Sequence, residues 1–368
     1  MDSFNETVLE INLTTLSKNY YYLKSHLGSN TKFLAVVKAF GYGSDAVQIA
    51  KHLESLNVNY FAVAYVNEGV QLRDAGITTP IMVLHPQPSN FKTLIDYCLE
   101  PSLYSPRVLQ QFIDIASEMN QNEYPVHLKF NTGLNRLGFR ENDIIFIHSH
   151  LNETAAIKVK SIFSHLASSE DLEEVAFSKS QIISFIKIAA DFNASLENPA
   201  FLHMCNTSGV LNYPEAHFDM VRCGIGLYGF GNSAKENENL TPIASLKSVV
   251  SQIHIIQPNE TVGYNRAFKA TKSMKIATIP VGHADGIGRQ YGNGSGFVIV
   301  NNKKAPILGN VCMDMIMVDI TDIDCKEGSE VIFFNDTFTA EQLAESANTI
   351  SYELITGISQ RIKRKIIE

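Results

Sequence analysis

Reactive side chains in this sequence recur at the ends of short apolar runs. The first is Lys38, which follows the run 33–37 and precedes a turn-like stretch with glycines at 41 and 43. A buried strand that ends in an amine beside a glycine-bearing loop can present that amine to an aldehyde. A lysine just beyond a strand can equally be an ordinary solvent-facing side chain, so the other positions must decide between the two interpretations.

Four later runs also end in, or directly precede, polar residues. These residues are Lys129 and Asn131 at the run 126–130, His165 after 159–163, Asn206 and Thr207 after 201–204, and Arg222 at 219–222. In barrels of alternating strands and helices, the carboxyl ends of the strands meet at one mouth, where the chemistry takes place. We therefore expect these side chains to form one site together with Lys38.

The loops after the last two runs are small and rich in glycine. Residues 206–209 read Asn-Thr-Ser-Gly, and residues 224–226 read Gly-Ile-Gly. Short side chains let an oxyanion approach the main chain, and loops at these positions of a barrel commonly hold a phosphate. A reactive lysine and a phosphate loop at one mouth predict pyridoxal phosphate, because this cofactor has an aldehyde and a phosphate. If Arg222 lies beside the pyridine nitrogen of this cofactor, it would keep that nitrogen neutral. Alternatively, Arg222 could form a buried ion pair.

The spacing of the apolar runs predicts the architecture that carries these residues. The runs are residues 33–37, 60–64, 81–84, 99–103, 126–130, 159–163, 201–204 and 219–222. Amphipathic segments such as 44–56, 106–119 and 172–192 lie between them. Eight alternating units predict a closed (β/α)8 barrel of the TIM type. An open doubly wound sheet is the alternative, although it usually has fewer strands and a phosphate loop after the first.

A second domain is expected after residue 238. Residues 232–239 are polar and without periodicity, as is typical of a connection between domains. Later runs, with little helix before residue 340, lie at 246–256, 275–281, 297–300, 316–320 and 331–334. The sequence thus predicts an α/β plus β fold, with a barrel over residues 12–238 and a β-rich domain over residues 239–368. The strand-like stretch 8–12 could pair with either domain.

Composition excludes several classes of function. A formal net charge of -8 over 368 residues argues against nucleic-acid binding, and no apolar run has the length of a membrane span. The amino terminus lacks the pattern of a secretion signal, so we expect a cytoplasmic protein. The five cysteines show no C-x-x-C spacing and are expected to be reduced. No zinc motif is present, and no metal site is predicted.

Nine segments, in register along the whole chain, resemble the alanine racemase family. They are Ala35-Val36-Val37-Lys38-Ala39 with Tyr42-Gly43, Asn131-Thr132-Gly133 with Arg136-Leu137-Gly138, Ser164-His165-Leu166-Ala167, Asn206-Thr207, Arg222-Cys223-Gly224-Ile225 with Leu227-Tyr228-Gly229, Val262-Gly263-Tyr264, Ala284-Asp285-Gly286 with Arg289, Cys312-Met313-Asp314, and Ser351-Tyr352-Glu353. The resemblance implies an enzyme of D-alanine biosynthesis that supplies peptidoglycan precursors, with a catabolic role as the alternative.

The resemblance also implies how the reaction is divided between two chains. Pyridoxal phosphate would be bound to Lys38 as an internal aldimine, in a head-to-tail homodimer with shared active sites. Tyr264 of one chain would then face Lys38 of the other. Racemisation needs a base on each side of the substrate Cα, and these two residues would be that pair, acting on the external aldimine of L- or D-alanine.

The remaining site residues follow from the same resemblance. The residues implied to hold the cofactor are Lys38, Tyr42, His165, Asn206, Thr207, Arg222, Gly224, Ile225 and Tyr352. Arg136 and the Met313 N–H would bind the substrate carboxylate, with Lys129 carbamylated to orient Arg136. His165 would bond both Tyr264 and Arg222.

Three other functions are compatible with parts of this pattern. One is racemisation of another small amino acid such as serine, because His283 stands where the family commonly has a tyrosine at the entrance to the site. A second is amino-acid decarboxylation on a related barrel, which would need a glutamate instead of Arg222 and a longer β domain. The third is a non-catalytic pyridoxal phosphate carrier, in which Tyr264, Met313 and Tyr352 would have no purpose.

Overall fold

The computed structural model describes residues 6–368, which separate into a barrel unit and a β unit. The barrel unit comprises Ser17–Gly41 and Ala46–Leu240. The β unit comprises the described residues up to Leu16, Tyr42–Asp45 and Thr241–Glu368. Residues 1–5, which contributed to the prediction that a secretion signal is absent, lie outside the described residues.

Eight parallel strands close into the barrel. In the chain they follow β1 (Val8–Asn12), which belongs to the β unit. They are β2 (Lys32–Val36), β3 (Tyr60–Val63), β4 (Ile81–Val83), β5 (Glu100–Leu103), β6 (Tyr124–Lys129), β7 (Ile157–Phe163), β8 (Phe201–His203) and β9 (Met220–Cys223). Each strand pairs with the next, and β2 pairs with β9 to close the ring, with Leu34 opposite Arg222. The predicted (β/α)8 barrel is confirmed.

Helices connect the barrel strands. The helical segments of residues 13–237 are α1 (Leu13–Ser25), α2 (Lys38–Tyr42), α3 (Ala46–Ser55), α4 (Val66–Asp74), α5 (Phe91–Asp96), α6 (Pro106–Glu118), α7 (Ile144–Asn152), α8 (Val175–Asn193), α9 (Thr207–Asn212) and α10 (Ala234–Asn237). The start of α6 shows why the sequence is helical there: the Ser105 hydroxyl accepts from the Val108 N–H, and Pro106 occupies the first turn. Its apolar side chains at i, i+4 spacing, Val108 and Phe112, are buried.

The β unit is built on a nine-stranded sheet. Its strands and helices after β1 are β10 (Ala244–Val249), β11 (Gln252–Ile256), β12 (Thr261–Val262), β13 (Phe268–Lys269), β14 (Met274–Ile279), β15 (Phe297–Val300), β16 (Lys303–Leu308), β17 (Ile316–Asp319), β18 (Glu330–Phe334), α11 (Ala340–Glu345), α12 (Ser351–Gly357) and β19 (Lys363–Ile367). The strand order is β11-β14-β17-β16-β15-β18-β10-β1-β19, and β12 and β13 form a separate pair. The prediction of a β-rich second domain is confirmed, and β1 pairs with β10 and β19.

Short 3-10 turns complete the secondary structure. They occupy Pro88–Asn90, Glu141–Asp143, Leu172–Glu174, Pro214–Ala216, Ile225–Tyr228, Tyr264–Arg266, His283–Asp285 and Arg289–Tyr291. Across residues 6–368, no helix combines the length and the apolar character that crossing a membrane would require.

One local prediction was wrong. The single run expected at 246–256 is two strands, β10 and β11, separated by Val250 and Ser251. The segment 232–239, expected to connect two domains, contains the short helix α10. Its Glu236 is buried and accepts hydrogen bonds from the Ser208 hydroxyl at 2.9 Å and the Asn212 amide at 2.8 Å. These bonds tie the segment to the barrel because a buried carboxylate must be hydrogen-bonded.

Candidate active site

Lys38 lies two residues after β2 ends at Val36, at the start of a left-handed turn. Ala39, Phe40 and Gly41 have φ of 54°, 55° and 61°. Successive L-residues rarely adopt this conformation, because the Cβ atom crowds the following carbonyl oxygen. The turn is held at its start by Glu68, whose carboxylate accepts from the Ala39 N–H at 2.6 Å and from the Ala64 N–H at 2.7 Å. Strain of this kind is typical of a functional site.

The Lys38 amine is in an environment that favours its neutral form. Burial lowers the pKa of Lys38 below its ordinary value, the Arg136 guanidinium lowers it further, and the Glu68 carboxylate acts in the opposite direction. A lowered pKa makes a larger fraction of the amine unprotonated near neutral pH, as a nucleophile or a base requires.

Arg222 is the centre of the hydrogen bonds at this end of the barrel. Its buried guanidinium donates from Nη1 to His203 Nδ1 at 2.7 Å and from Nη2 to His165 Nδ1 at 3.1 Å. Nη2 also donates to the carbonyl oxygens of Ser164 at 2.8 Å and Met204 at 3.1 Å. Burial lowers the pKa of Arg222 to about 10. It remains a cation at neutral pH, and it can donate but not accept.

His165 is held in its neutral form. Burial lowers its pKa well below the ordinary value, and the charges of Arg222 and Lys129 act in the same direction. Because Arg222 donates to Nδ1, the lone pair must be on Nδ1 and the proton on Nε2. His165 can therefore donate one hydrogen bond from Nε2.

Four cations converge in the barrel unit. Burial first, and then neighbouring cations led by Arg136, lower the pKa of Lys129 to about 8. The Arg222 guanidinium and the Lys129 amine both lie over the Phe163 ring, 5.1 Å and 5.9 Å from its centre. Within the part of the chain that the structure describes, neither these two residues nor Lys38 and Arg136 form an ion pair with a carboxylate. Such a site favours an anionic ligand.

The glycine-rich loops of the barrel unit pack closely against one another. The Asn206 side chain accepts from the Gly209 N–H at 2.8 Å and starts α9, and Thr207 Oγ1 accepts from the Gly226 N–H at 3.2 Å. A Cβ added at Gly226 would lie 2.5 Å from Thr207 Cγ2. Gly224 directly precedes the 3-10 turn Ile225–Tyr228. Only small residues fit this cradle, which has the features of a phosphate-binding loop.

The other predicted site residues lie in the β unit. The rings of Tyr42 and Tyr352 are 6.2 Å apart. Tyr264 and Met313 line a groove of about 720 Å³, and their exposed fractions are 72% and 59%. The Tyr264 carbonyl oxygen accepts from the Asn310 amide at 3.1 Å. Two large apolar side chains so exposed in one groove indicate a surface that another molecule covers.

The predicted site residues are divided between the two units. Those in the barrel unit are Lys38, Lys129, Arg136, His165, Asn206, Thr207, Arg222, Gly224 and Ile225. Those in the β unit are two pairs, Tyr42 with Tyr352 and Tyr264 with Met313. Sequence reasoning missed Glu68 and His203, which contact Ala39 and Arg222. His203 is the last residue of β8 and lies within the apolar run 201–204 rather than after it. An imidazole within a barrel strand was the signal available.

Comparison with known proteins agrees with this architecture. The family model described as "Alanine racemase, N-terminal domain" matches residues 11–231, and "Alanine racemase, C-terminal domain" matches residues 243–366. An alanine racemase of Halothermothrix orenii is 34% identical over 367 residues, which cover 98% of this chain and 96% of that protein.

Solved structures give the same result. An alanine racemase of Clostridium difficile 630 superposes with a TM-score of 0.93 at 33% identity, covering 99% of this chain and 96% of its own. An alanine racemase of Bartonella henselae, solved with covalently bound pyridoxal phosphate, has a TM-score of 0.89 at 28% identity and covers 98% and 99% of the two chains. The chain therefore belongs to the alanine racemase family, whose members are isomerases that act on amino acids.

Proposed function

We propose that this protein interconverts L- and D-alanine, with Lys38 and Tyr264 of the partner subunit as the two bases. The observation that carries the proposal is the Lys38 amine, whose pKa is lowered and which stands among cations at the carboxyl ends of the barrel strands. A base on one side of the substrate Cα removes its proton, and a base on the other side returns one.

The residues present fit pyridoxal phosphate. Lys38 would hold the aldehyde, while the Thr207 hydroxyl and the backbone of Gly224 and Ile225, with Asn206 starting α9, suit a phosphate. By family resemblance, Tyr42 and Tyr352 would also contact the phosphate. When bound, the cofactor supplies a conjugated ring that accepts the electrons left at Cα on proton removal.

Arg222 and His165 adjust that chemistry. The Arg222 guanidinium can only donate, so a pyridine nitrogen facing it would accept a hydrogen bond and carry no proton. An unprotonated pyridine ring is a weaker electron acceptor. A free tyrosine has a pKa near ~10 and is a reluctant base at neutral pH. The neutral His165, with its proton on Nε2, could donate to the phenol oxygen of the partner subunit's Tyr264 and favour the ionised form.

Arg136 and the Met313 N–H are proposed to bind the substrate carboxylate, with a carbamate on Lys129 orienting Arg136. The lowered pKa of Lys129, about 8, supports this, because only an unprotonated amine can attack carbon dioxide, forming the carbamate and releasing a proton. Incubation with ¹³C-bicarbonate should give a carbamate NMR signal that Lys129→Arg abolishes. An unchanged signal in the variant would place the carbamate elsewhere.

The exposed groove of Tyr264 and Met313 supports a homodimer with shared sites. Both side chains are more than half exposed in the single chain. A second copy of the chain bound at the groove would cover this apolar surface. We also propose that the enzyme works in the cytoplasm and that its D-alanine enters peptidoglycan precursors.

The proposal is tested on protein purified with pyridoxal phosphate. We expect a yellow protein in which borohydride fixes the cofactor on Lys38, seen by peptide mass. It should exchange the Cα proton of either alanine enantiomer in deuterated water, and a screen of small L-amino acids, serine included, should give the fastest interconversion for alanine. Cofactor bound with no Cα exchange for any of them would contradict the proposed reaction.

A further inference from the structure

A chain of hydrogen bonds runs through the barrel strands from the candidate site to a carboxylate on β5. Its members are, in order, Arg222, His203, Ser161, His127 and Glu100. After the Arg222 to His203 bond, His203 Nε2 lies 2.8 Å from Ser161 Oγ. Ser161 Oγ lies 2.6 Å from His127 Nδ1, and His127 Nε2 lies 2.8 Å from Glu100 Oε2.

Every member of this chain is removed from solvent. The exposed fractions are 5% for Arg222, 0% for His203 and Ser161, 1% for His127 and 7% for Glu100. Barrel interiors are usually filled by branched apolar side chains, and a polar group there is tolerated only with hydrogen-bond partners. A connected polar chain in this position therefore needs a reason beyond packing.

The chemistry of the donors fixes the direction of the chain. A guanidinium cannot accept, so His203 Nδ1 must accept from Arg222 and the His203 proton must be on Nε2. His203 then donates to Ser161, whose own hydroxyl proton is left to donate to His127 Nδ1. By the same reasoning His127 keeps its proton on Nε2 and donates it to Glu100.

Glu100 is suited to end such a chain. Its second oxygen accepts from the Lys160 amine at 2.8 Å. Although burial raises the pKa of Glu100, its hydrogen bonds with His127 and Lys160 outweigh this and lower the pKa below the ordinary value. An ionised carboxylate only accepts, so the direction cannot reverse while Glu100 is in place.

We propose that Glu100 is a positioning residue for Arg222, acting through His127, Ser161 and His203. Arg222 donates to four groups, which are His203, His165 and two backbone carbonyls, and none of them is a carboxylate. Glu100 holds the chain in this direction from the end opposite Arg222, so that His203 Nδ1 stays free to accept and the orientation of the guanidinium is fixed. The effect on racemisation rests on the proposed function; the protonation pattern of the two histidines does not.

The pattern can be measured directly in the wild-type protein. ¹⁵N NMR of protein loaded with pyridoxal phosphate and labelled at histidine, with signals assigned from His203→Gln and His127→Gln, reports which ring nitrogen carries the proton. His203 should be neutral with its proton on Nε2, and His127 should carry a proton on Nε2 toward Glu100. A proton on Nδ1 of His203 would overturn the proposal, whether or not the protein racemises alanine.

Two variants of Glu100 separate positioning from general stability. Glu100→Gln keeps an oxygen that accepts from His127, and should retain the histidine pattern and most of the activity. Glu100→Leu removes the acceptor, and should change the His203 signal and lower kcat on the order of 10²-fold with little change in KM. If a folded Glu100→Leu keeps both the signal and kcat, or Glu100→Gln loses the pattern, the proposal is wrong.

Glu10 provides the matched control. It is also a buried glutamate, paired with Lys247 at 2.8 Å, but it lies on β1 in the β unit. Glu10→Leu should lower stability in the same way as Glu100→Leu and leave the His203 signal and kcat unchanged. An equal loss of kcat in Glu10→Leu would assign the effect to destabilisation and overturn the role of Glu100.

Discussion

Arg222 donates to two imidazoles from the two ends of one planar group. Its Nη1 bonds His203 and its Nη2 bonds His165, so the two rings are fixed relative to each other by the geometry of the guanidinium. A lysine has one ammonium group and cannot span both acceptors. The orientation of His165, and of any group that His165 contacts, should therefore depend on arginine at this position.

Arg222→Lys tests this dependence while keeping the positive charge. We expect kcat for alanine to fall on the order of 10²-fold, because a displacement of about 1 Å in a catalytic site has that effect. The control is Arg73→Lys. The Arg73 guanidinium also donates to carbonyl oxygens, those of Ile77 and Thr79 at 2.8 Å, and is likewise replaced by an ammonium group. Steady-state kinetics of the two variants should differ; equal activity of Arg222→Lys and wild type would show that charge alone suffices.

At the scale of elements, the turn that begins at Lys38 requires a left-handed backbone conformation at Gly43. Gly43 has φ of 82°, and a Cβ there would lie 2.1 Å from the Ile355 carbonyl oxygen in the same unit. Both features require glycine. A side chain would strain the backbone at this positive φ, and its Cβ would clash with the Ile355 carbonyl oxygen, which is backbone and cannot rotate away.

Gly43→Ala should be more destabilising than a replacement that adds strain alone. Gly328 is the matched control, because its φ is 84° and a Cβ there would meet nothing within 4 Å. We expect Gly43→Ala to lower the free energy of unfolding by about 2 kcal/mol more than Gly328→Ala, from overpacking. Urea denaturation of both variants measures the difference, and equal midpoints would mean that the chain moves aside at Ile355.

Most strands could be predicted from the sequence because they are short apolar runs with clear ends. Four strands could not. β12 and β13 have two residues each and are too short to form a visible run. β19 and β16 were missed for other physical reasons. β19 reads Lys-Arg-Lys-Ile-Ile and lies at the edge of the sheet, where charged residues protect against further pairing. β16 begins with two exposed lysines and contains Pro306, which usually argues against a strand. The turn after Lys38 was predicted from its glycines, but its left-handed conformation at Ala39 and Phe40 was not, because these residues do not favour positive φ.

The candidate site could be predicted only where its side chains follow strands. Lys38 and His165 are examples, because the end of each preceding run is visible in the sequence. Glu100, His127 and His203 lie within strands, at positions where a barrel interior normally has apolar side chains. Whether such residues point inward depends on the register of neighbouring strands, for example His127 opposite Ser161, which the sequence does not reveal.

At the scale of the whole molecule, the neutral histidines of the barrel couple folding to pH. The pKa values of His165 and His203 are lowered well below the ordinary value, mainly by burial. Below about pH 6.5 the unfolded chain binds protons at these rings while the native state does not, so stability falls as the pH is lowered. The lowered pKa of Glu100 acts in the same direction only at more acidic pH, and that of Lys129, about 8, acts only in the alkaline range.

The free energy of unfolding should therefore decrease between about pH 6.5 and 5, by about 1.4 kcal/mol per pH unit for each such histidine. His203→Gln should reduce this slope, because it removes one of the neutral rings. Urea titrations at a series of pH values give the slope. Stability that rises on acidification through this range would contradict the neutral state of these rings.

The most direct test of the central claim is to place the two proposed bases on different chains. Lys38→Ala and Tyr264→Phe chains, co-expressed with different affinity tags and purified in tandem as a mixed dimer, should have about half of the wild-type activity, because one of the two shared sites is intact. A mixed dimer of Lys38→Ala with the Lys38→Ala, Tyr264→Phe double variant should be inactive. If the first mixed dimer is purified, binds the cofactor and is as inactive as either parent, the two bases do not meet across chains, and the account is contradicted.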